Sequence, residues 1–264
     1  MRINIWRMVK VALVERTAIE KWLNVVLEPE QVKDYCPNGL QVEGRTQIAK
    51  VLLGVTASQA LVDEAARWGA DMILVHHGWF WKNEPLTVTG QKYRRMKALM
   101  HHDINLFAYH LPLDIHAEYG NNATLAETLG LQVEARQTLM GVKDLLWYGR
   151  VAEPCQADVF ARHIEKRLQR KPLLLGDSQK MVRSVAWCTG GAQSAIDDAI
   201  ELGVDAFISG EASEQTYHAA MENDIVYYAA GHDATERYGV QALGAALAAE
   251  FGLETRFFDL GNPV

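Results

Sequence analysis

The sequence predicts an α/β fold made of two related three-layer α/β lobes with a ligand site between them. Short apolar runs alternate with segments of helical character, which is typical of parallel sheets with helical crossovers. Three of these runs, at residues 72–75, 106–109 and 225–230, are followed by histidine, directly or after one glycine. Open α/β sheets bind ligands at the carboxyl ends of their strands. The histidines therefore indicate a functional site at the ends of the predicted strands.

Local signals place the elements in chain order. Thr17, with Glu20 three positions later, forms a capping box that predicts a helix over residues 18–26. A strand at residues 51–55 is followed by Thr56 or Ser58, either of which can cap a helix. The other predicted strands lie at 72–75, 106–109 and 225–230. The other predicted helices lie at 59–68, 92–101, 157–169 and 238–251, with one more that Asn121 or Asn122 caps and that ends at about 129.

The pattern of the first half returns in the second half. Residues 185–211 align with residues 51–77 without a gap. The repeated identities are Val51 with Val185, Gln59 with Gln193, Asp63 with Asp197, Ala65 with Ala199, Gly69 with Gly203, and Asp71 with Asp205. Asp224-Ile225 then matches Asp103-Ile104, and after one inserted residue His232 falls on His110 and Glu236 on Asp114. The order and spacing indicate an internal duplication.

The duplication predicts the domain organisation. Residues 1–16 lie ahead of the first helix and are interpreted as an N-terminal extension, because they lack the apolar core and cleavage site of a signal peptide. Residues 17–135 form the first predicted lobe and residues 136–264 the second. The join lies within residues 133–180, whose status as linker or lobe is left open.

Composition excludes several classes of protein. The 264 residues carry a net charge of −7, which argues against non-specific nucleic-acid binding as the main activity. No apolar run approaches the ~18 residues of a membrane-spanning helix, so no membrane partner is expected. The three cysteines are widely spaced, which indicates neither a disulfide framework nor a cysteine zinc site. A reducing cytoplasm is the simplest compartment.

Carboxylates accompany the histidines at regular spacing. His232 and Glu236 are four residues apart where a strand leads into a helix, and His110 and Asp114 repeat that spacing. Residues four apart share one face of a helix. Imidazole and carboxylate together suit a divalent metal. With the adjacent pair His76-His77, these residues predict a metal site.

Four segments together resemble the GTP cyclohydrolase 1 type 2 homologue family. They are Pro-Asn-Gly-Leu-Gln-Val at 37–42, Val-His-His-Gly at 75–78, His-Leu-Pro-Leu-Asp at 110–114 and Gly-His-Asp-Ala-Thr-Glu at 231–236. The resemblance to the family's short bacterial members runs from about residue 17 to residue 264. It implies a dinuclear metal site, a toroidal homohexamer and a hydrolase-like role, possibly on nucleotides.

The resemblance also implies the ligands and the metals. By motif, the ligands are His76, His77, Asp114, His232 and Glu236. Glu236 is the natural bridge between two cations, since a carboxylate can offer one oxygen to each. The donors favour two divalent ions per subunit from among zinc, iron, manganese and nickel, without selecting one.

Three features have more than one interpretation. Adjacent strand residues point to opposite faces, so both histidines of the His76-His77 pair serve one site only if the chain leaves strand geometry there; otherwise one packs in the core. His110 is interpreted as a proton-transfer or ligand-supporting residue, with a sixth ligand or core packing as the alternatives. Pro112 argues against a helix that would align Asp114 with His110. Glu211 is either a general base or a solvated carboxylate.

Two loops near the histidines are also ambiguous. Residues 189–192 contain two glycines between a strand and a helix, where backbone N–H groups could hold phosphate, although a tight turn is favoured. Trp79, Phe80 and Trp81 could stack on a planar base or form a subunit interface.

These observations together predict a cytoplasmic, dinuclear metal-dependent hydrolase. It would activate water to attack a small, nucleotide-like substrate. The alternatives are a non-catalytic metal-binding or metal-delivery protein and a ring scaffold with structural metals. Open coordination positions would favour the enzyme.

Overall fold

The computed structural model describes residues 12–264, so residues 1–11 of the predicted extension lie outside the described chain. Strands and helices alternate as the sequence predicts. The first half contains β1 (Val14–Glu15), α1 (Arg16–Leu27), β2 (Gly39–Val42), β3 (Gln47–Ile48), β4 (Lys50–Thr56), α2 (Gln59–Trp68), β5 (Met72–His77), α3 (Gly90–His101), β6 (Asn105–Ala108), α4 (Leu111–Ile115) and α5 (Asn121–Leu129).

The second half begins with a long hairpin in the region where the sequence places the join. Its elements are β7 (Gln132–Leu139), β8 (Val142–Gln156), α6 (Ala157–Leu168), β9 (Leu173–Leu175), β10 (Met181–Trp187), α7 (Ile196–Glu201), β11 (Ala206–Ser209), α8 (Glu214–Glu222), β12 (Val226–Ala229), α9 (His232–Phe251) and β13 (Glu254–Phe257). No helix in residues 12–264 is long and apolar enough to cross a membrane.

Two sheets carry the fold. The five-stranded sheet has the order β13-β4-β5-β6-β2, in which β2 is antiparallel to β6 and the other pairs are parallel. The six-stranded sheet has the order β7-β8-β10-β11-β12-β9, with β10, β11 and β12 parallel. The central strands are continuous apolar runs because helices cover both faces of each sheet.

Each sheet forms the middle of three layers. One face of the five-stranded sheet packs against α1 and α9, and the other against α2 and α3. The six-stranded sheet lies between α5 with α6 and α7 with α8. The predicted α/β class is therefore confirmed.

Matched local structure supports the inferred duplication. The carboxylate of Asp71 accepts from the N–H groups of Ala49 and Lys50, at 2.8 and 2.9 Å. Its sequence counterpart, Asp205, accepts from Arg183 and Ser184 at 2.9 and 3.0 Å. Asp71 thus holds the start of β4, and Asp205 holds β10 just before it begins to pair with β11. The duplication is an inference from the sequence, and the matching contacts of Asp71 and Asp205 support it.

Each half of the sequence contributes its last elements to the sheet of the other half. Although α9 and β13 lie in the second half of the sequence, they pack on the first sheet, where β13 pairs with β4. In return, α5 contributes Leu125 and Leu129 to the core of the second sheet. The division at residues 135 and 136 stays a prediction, but the sheets themselves interleave along the chain. Gly239 of α9 lets α5 approach closely, since a Cβ there would lie 2.1 Å from Asn121 Oδ1.

One predicted cap is wrong. Helix α1 begins at Arg16 with Glu15 as its N-cap, and no side chain caps it. The predicted capping box at Thr17 therefore does not form, because Thr17 is already inside the helix.

We expect the substitution Asp205→Ala to destabilise the protein by about 1–2 kcal/mol at neutral pH, because it removes acceptors from two backbone N–H groups. Although burial raises the pKa of Asp205, the hydrogen bonds from Ser184 and Arg183 lower it overall. The stabilisation is therefore present above the unfolded-state pKa of about 3.9 and is lost as pH falls through the folded-state pKa. Urea unfolding of both proteins over a pH series measures the difference. A difference that did not shrink in acid would contradict this account.

Candidate metal centre

The five ligands implied by motif come together where the two lobes meet. His76 and His77 end β5, Asp114 lies in α4, and His232 and Glu236 lie in the first turns of α9. Two of the four groups of possible ligand atoms in residues 12–264 consist only of these residues, His76 with Asp114 and Glu236, and His77 with His232 and Glu236. Within each group, these atoms lie within 4.8 Å of one another. Glu236 belongs to both groups, which we call the two triads.

The carboxylate of Glu236 divides its oxygens between the triads. Its Oε1 lies 3.5 Å from His76 Nε2. Its Oε2 lies 3.4 Å from His77 Nε2 and 3.3 Å from His232 Nε2. Asp114 completes the first triad, with its Oδ1 3.6 Å from His76 Nε2. One carboxylate thus faces three imidazoles.

The adjacent histidines both serve this site although both remain within β5. Their ring centroids are 4.4 Å apart. The sequence predicts that the chain leaves strand geometry at this pair if both rings serve one site, and the structure shows that it does not. Both rings reach Glu236 because the carboxylate presents a separate oxygen to each of them.

Each histidine of the triads is anchored through Nδ1. The Nδ1–H of His76 donates to the carbonyl oxygen of Tyr109 at 3.0 Å. The Nδ1 of His77 is hydrogen-bonded to Thr56 Oγ1 at 3.1 Å. These contacts leave Nε2 facing the carboxylate, the arrangement that metal-binding histidines use.

Glu211 anchors the third histidine. Its Oε1 accepts from the Nδ1–H of His232 at 2.6 Å. This contact supports a role for Glu211 in orienting His232. The general-base interpretation stays a prediction.

Asp114 lies on a helix that the sequence did not predict. Leu111–Ile115 forms α4, with Pro112 in its first turn. Proline is tolerated there because a first-turn N–H has no partner within the helix. Asp114 Oδ1 accepts from Asn121 Nδ2–H at 2.8 Å and from Thr189 Oγ1–H at 3.3 Å. The sequence reasoning missed both donors, which come from the start of α5 and from the loop after β10 and have no recognisable spacing.

The glycine loop at residues 189–192 forms one wall of the site. Gly190 has φ +69°, and a Cβ at this position would lie 2.0 Å from Glu236 Oε1. Its N–H donates to Thr235 Oγ1 at 3.1 Å, and the N–H of Ala192 donates to Ser209 Oγ at 3.2 Å. The N–H of Thr189 donates to Asn122 Oδ1 at 3.2 Å. The loop is therefore a tight turn that packs against the carboxylate, with three of its N–H groups already bonded.

His110 lies beside the triads but outside both. It precedes α4, and one of its ring nitrogens lies within 4.8 Å of ring nitrogens of His76 and His77. Its Nδ1–H donates to Asp34 Oδ1 at 2.9 Å, so Nε2 is the nitrogen left for the site. Asp34 was not identified from the sequence, since its loop carries no strand or helix signal.

The aromatic loop after β5 has two environments. Trp79 is buried and its Nε1–H donates to the carbonyl oxygen of Ala57 at 2.8 Å. Trp81 instead lies beside the histidines, with ring centroids 5.9 Å from His77 and 5.0 Å from His110. Trp79 is therefore a core residue, and Trp81 is available to the site.

The buried carboxylates attract positive charge. Burial lowers the pKa of His76, but the charges of Asp114 and Glu236 outweigh it and raise the pKa to about 9. The pKa of His232 also rises to about 9, against its burial, through the hydrogen bond and charge of Glu236. Burial lowers the pKa of His77 to about 3. A divalent cation would be drawn by the same field and would compete with protons for these nitrogens.

Two unsatisfied atoms show that the donors fit a cation. His76 Nε2 and Glu236 Oε2 are both buried and have no hydrogen-bond partner within residues 12–264. Buried polar atoms are ordinarily paired with protein or an ordered ligand. An ion contacting both triads would satisfy them. The buried His, Asp and Glu groups could thus hold metal.

Comparisons with known proteins agree with the motif resemblance. A relative from Pseudomonas aeruginosa, named GTP cyclohydrolase 1 type 2 homolog, is 54% identical over 237 residues, which cover 90% of this chain and 94% of the relative. A solved structure described as "Structural genomics, protein ybgI, unknown function" has a TM-score of 0.91 at 49% identity and covers 95% of this chain and 100% of that chain. The structure of TTHA1606 from Thermus thermophilus has a TM-score of 0.84 at 32% identity, with 95% and 100% coverage.

The family model described as Duf34/NIF3 (NGG1p interacting factor 3) matches residues 14–263. The similarity therefore includes both sheets and every residue of the two triads. The relatives' name is the one that the four motifs indicated. The predicted resemblance is confirmed, and the chain belongs to the Duf34/NIF3 family.

Proposed function

We propose that the protein is a hydrolase that depends on two divalent metal ions, one for each triad. The observation that carries this proposal is the shared carboxylate, with Oε1 of Glu236 toward His76 and Oε2 toward His77 and His232. Nitrogen and oxygen donors of this kind suit zinc, iron, manganese or nickel. Five ligands for two ions leave coordination positions open, as in catalytic sites.

His76, His77, Asp114, His232 and Glu236 would hold the two ions, which would supply Lewis-acid activation of water near neutral pH. The residues of the chain supply orientation and proton transfer. Tyr109, Thr56 and Glu211 hold the histidine rings through Nδ1. His110 Nε2 takes the proton that the attacking water loses and returns it to the leaving group.

For the substrate, we propose a small molecule with a planar ring, such as a nucleotide. The support comes from Trp81 and from Tyr35, whose ring centroids lie 5.6 Å apart and each 5.0 Å from that of His110. Tyr35 is 53% exposed, so this aromatic surface is accessible. Aromatic side chains stack on bases of any sequence. The name of the relatives, GTP cyclohydrolase 1 type 2 homolog, points to the same substrate class.

For the assembly, we propose a cytoplasmic homohexameric ring. The support is the family resemblance, together with three free cysteines of the kind found in reducing compartments. We expect light scattering to give about six times the chain mass of 29.5 kDa. A monomeric mass at micromolar concentration would contradict this proposal.

We expect the native protein, purified without chelators, to contain about two metal ions per chain, and Glu236→Gln to lose most of them. The amide cannot replace the charge that both triads share. Elemental mass spectrometry gives the metal content. The control is Glu250→Gln, an exposed carboxylate at the far end of the same helix, which should keep both metals.

A screen of nucleotides follows with the same proteins. Hydrolysis by the native protein and by Glu250→Gln, but not by Glu236→Gln, supports the enzyme. Two bound metals without hydrolysis of any nucleotide would favour storage or delivery of metal. Equal metal content in all three proteins would show that the two triads are not where metal binds.

We also expect Gly190→Ala to lose metal, because its Cβ would overlap Glu236 Oε1. Gly203→Ala is the matched control. The two glycines have φ values of +69° and +68°, but a Cβ on Gly203 meets no atom within 4 Å. Both substitutions strain the backbone by about 1 kcal/mol, and only the first should reduce the metal content. Equal metal loss in both variants would show that backbone strain, not the carboxylate, is responsible.

A further inference from the structure

We propose that Asp34 is a positioning residue for His110, holding the ring so that an unprotonated Nε2 faces the two triads. This inference deepens the proposed hydrolase function and rests on it. It concerns a loop residue that lies outside the ligand motifs and is distant from them in the sequence. The contacts of its carboxylate carry the proposal.

Both oxygens of Asp34 are held by donors. Oδ1 accepts from the Nδ1–H of His110 at 2.9 Å and from the N–H of Tyr35 at 2.6 Å. Oδ2 accepts from Asn38 Nδ2–H and from the N–H of Leu111, both at 3.0 Å. The side chain is only 3% exposed. The thiol of Cys36 is a fifth donor, to Oδ1 at 3.7 Å. Five donors on a buried carboxylate fix its position, and they favour its ionised form.

The same loop holds the backbone of His110. Asn38 Oδ1 accepts from the N–H of His110 at 2.7 Å, while Asn38 Nδ2 donates to Asp34. His110 is therefore fixed at its main chain and at its ring by two side chains that also bind each other. Core packing alone would not require this arrangement.

The ionisation of Asp34 determines the tautomer of His110. Burial raises the pKa of Asp34, but the hydrogen bond from His110, the charge of that ring when it is protonated, and the hydrogen bonds from Asn38 and Leu111 bring it down to about 2. An ionised carboxylate only accepts hydrogen bonds, so Nδ1 of His110 must carry the hydrogen. A neutral ring then has its lone pair on Nε2. His232 shows the same arrangement, with Glu211 on Nδ1 and Nε2 toward Glu236.

This placement gives a balanced proton transfer. As the oxygen of water forms a bond to the electrophilic atom of the substrate, Nε2 of His110 accepts the proton that the water loses. When the bond to the leaving group breaks, Nε2 donates that proton to the leaving group. The ring begins and ends neutral, and Asp34 stays ionised throughout, stabilising the charged ring between the two steps.

The test is solid-state ¹⁵N NMR of the zinc-loaded, full-length protein labelled at histidine. The spectrum of His110→Gln identifies the signals of His110. We expect a protonated Nδ1 and a bare Nε2 in the native protein. Asp34→Asn should populate the Nε2–H tautomer, because an amide can donate to Nδ1, and Asp34→Glu should restore the native tautomer at least in part. Asp205→Asn, a remote carboxylate that also holds backbone N–H groups, should leave the His110 signals unchanged.

A native spectrum showing the Nε2–H tautomer would overturn the proposal, even if no variant folds. An unchanged tautomer in a folded Asp34→Asn variant would overturn it as well. Metal content of the same samples separates this outcome from failure of the proposed function. If the native protein binds no metal, the hydrolase proposal fails, while the tautomer still tests the contact between Asp34 and His110.

Kinetics with bis(4-nitrophenyl) phosphate, and with any nucleotide that is hydrolysed, test the role in proton transfer. We expect Asp34→Asn to keep both metals and lower kcat by ~100-fold or more, with little change in KM. An unchanged kcat in a variant whose tautomer has switched would exclude proton transfer by His110.

Discussion

The position of the Glu236 carboxylate is the constraint on which the site depends. Burying a carboxylate is costly unless positive charge or hydrogen-bond donors compensate it. Here the compensation comes from both lobes, with His76 and His77 at the end of a strand and His232 one helical turn before the carboxylate. Gly190 leaves the space that the carboxylate occupies. The fold thus concentrates negative charge at one point and surrounds it with nitrogen atoms.

The surrounding residues turn this concentration of charge into a defined geometry. Each imidazole has a partner for Nδ1, and those partners are a carbonyl group, a hydroxyl group and carboxylates from different segments of the chain. Such contacts restrict each ring to one orientation before any ligand arrives, which reduces the reorganisation that binding requires. The two lobes supply these partners jointly, so the precision of the site reflects how the lobes pack.

Sequence reasoning could reach the α/β class and the residues that the site brings together. Histidines that follow apolar strands, and carboxylates at helical spacing, form local sequence patterns that can be recognised. Asp34 and Thr189 belong to no such pattern, because each contacts a side chain that is distant in the sequence and close only in the folded protein. Pro112 misled the prediction of α4 because the general rule against proline in helices does not apply to a first turn. The pairing of β13 with β4 could not be predicted either, since the periodicity of a strand does not indicate which strand it pairs with.

The exchange of C-terminal elements has a consequence for how the protein is made. The histidines of β5 emerge from the ribosome before Glu236 and the helix that carries it. Because β13, which follows that helix, closes the first sheet, neither the first lobe nor the site is complete until then. A chain that has not yet reached Glu236 therefore lacks the carboxylate that the two triads share. A nascent or truncated chain would present the histidines without the shared carboxylate, and it would offer a cation fewer ligand atoms than the two complete triads.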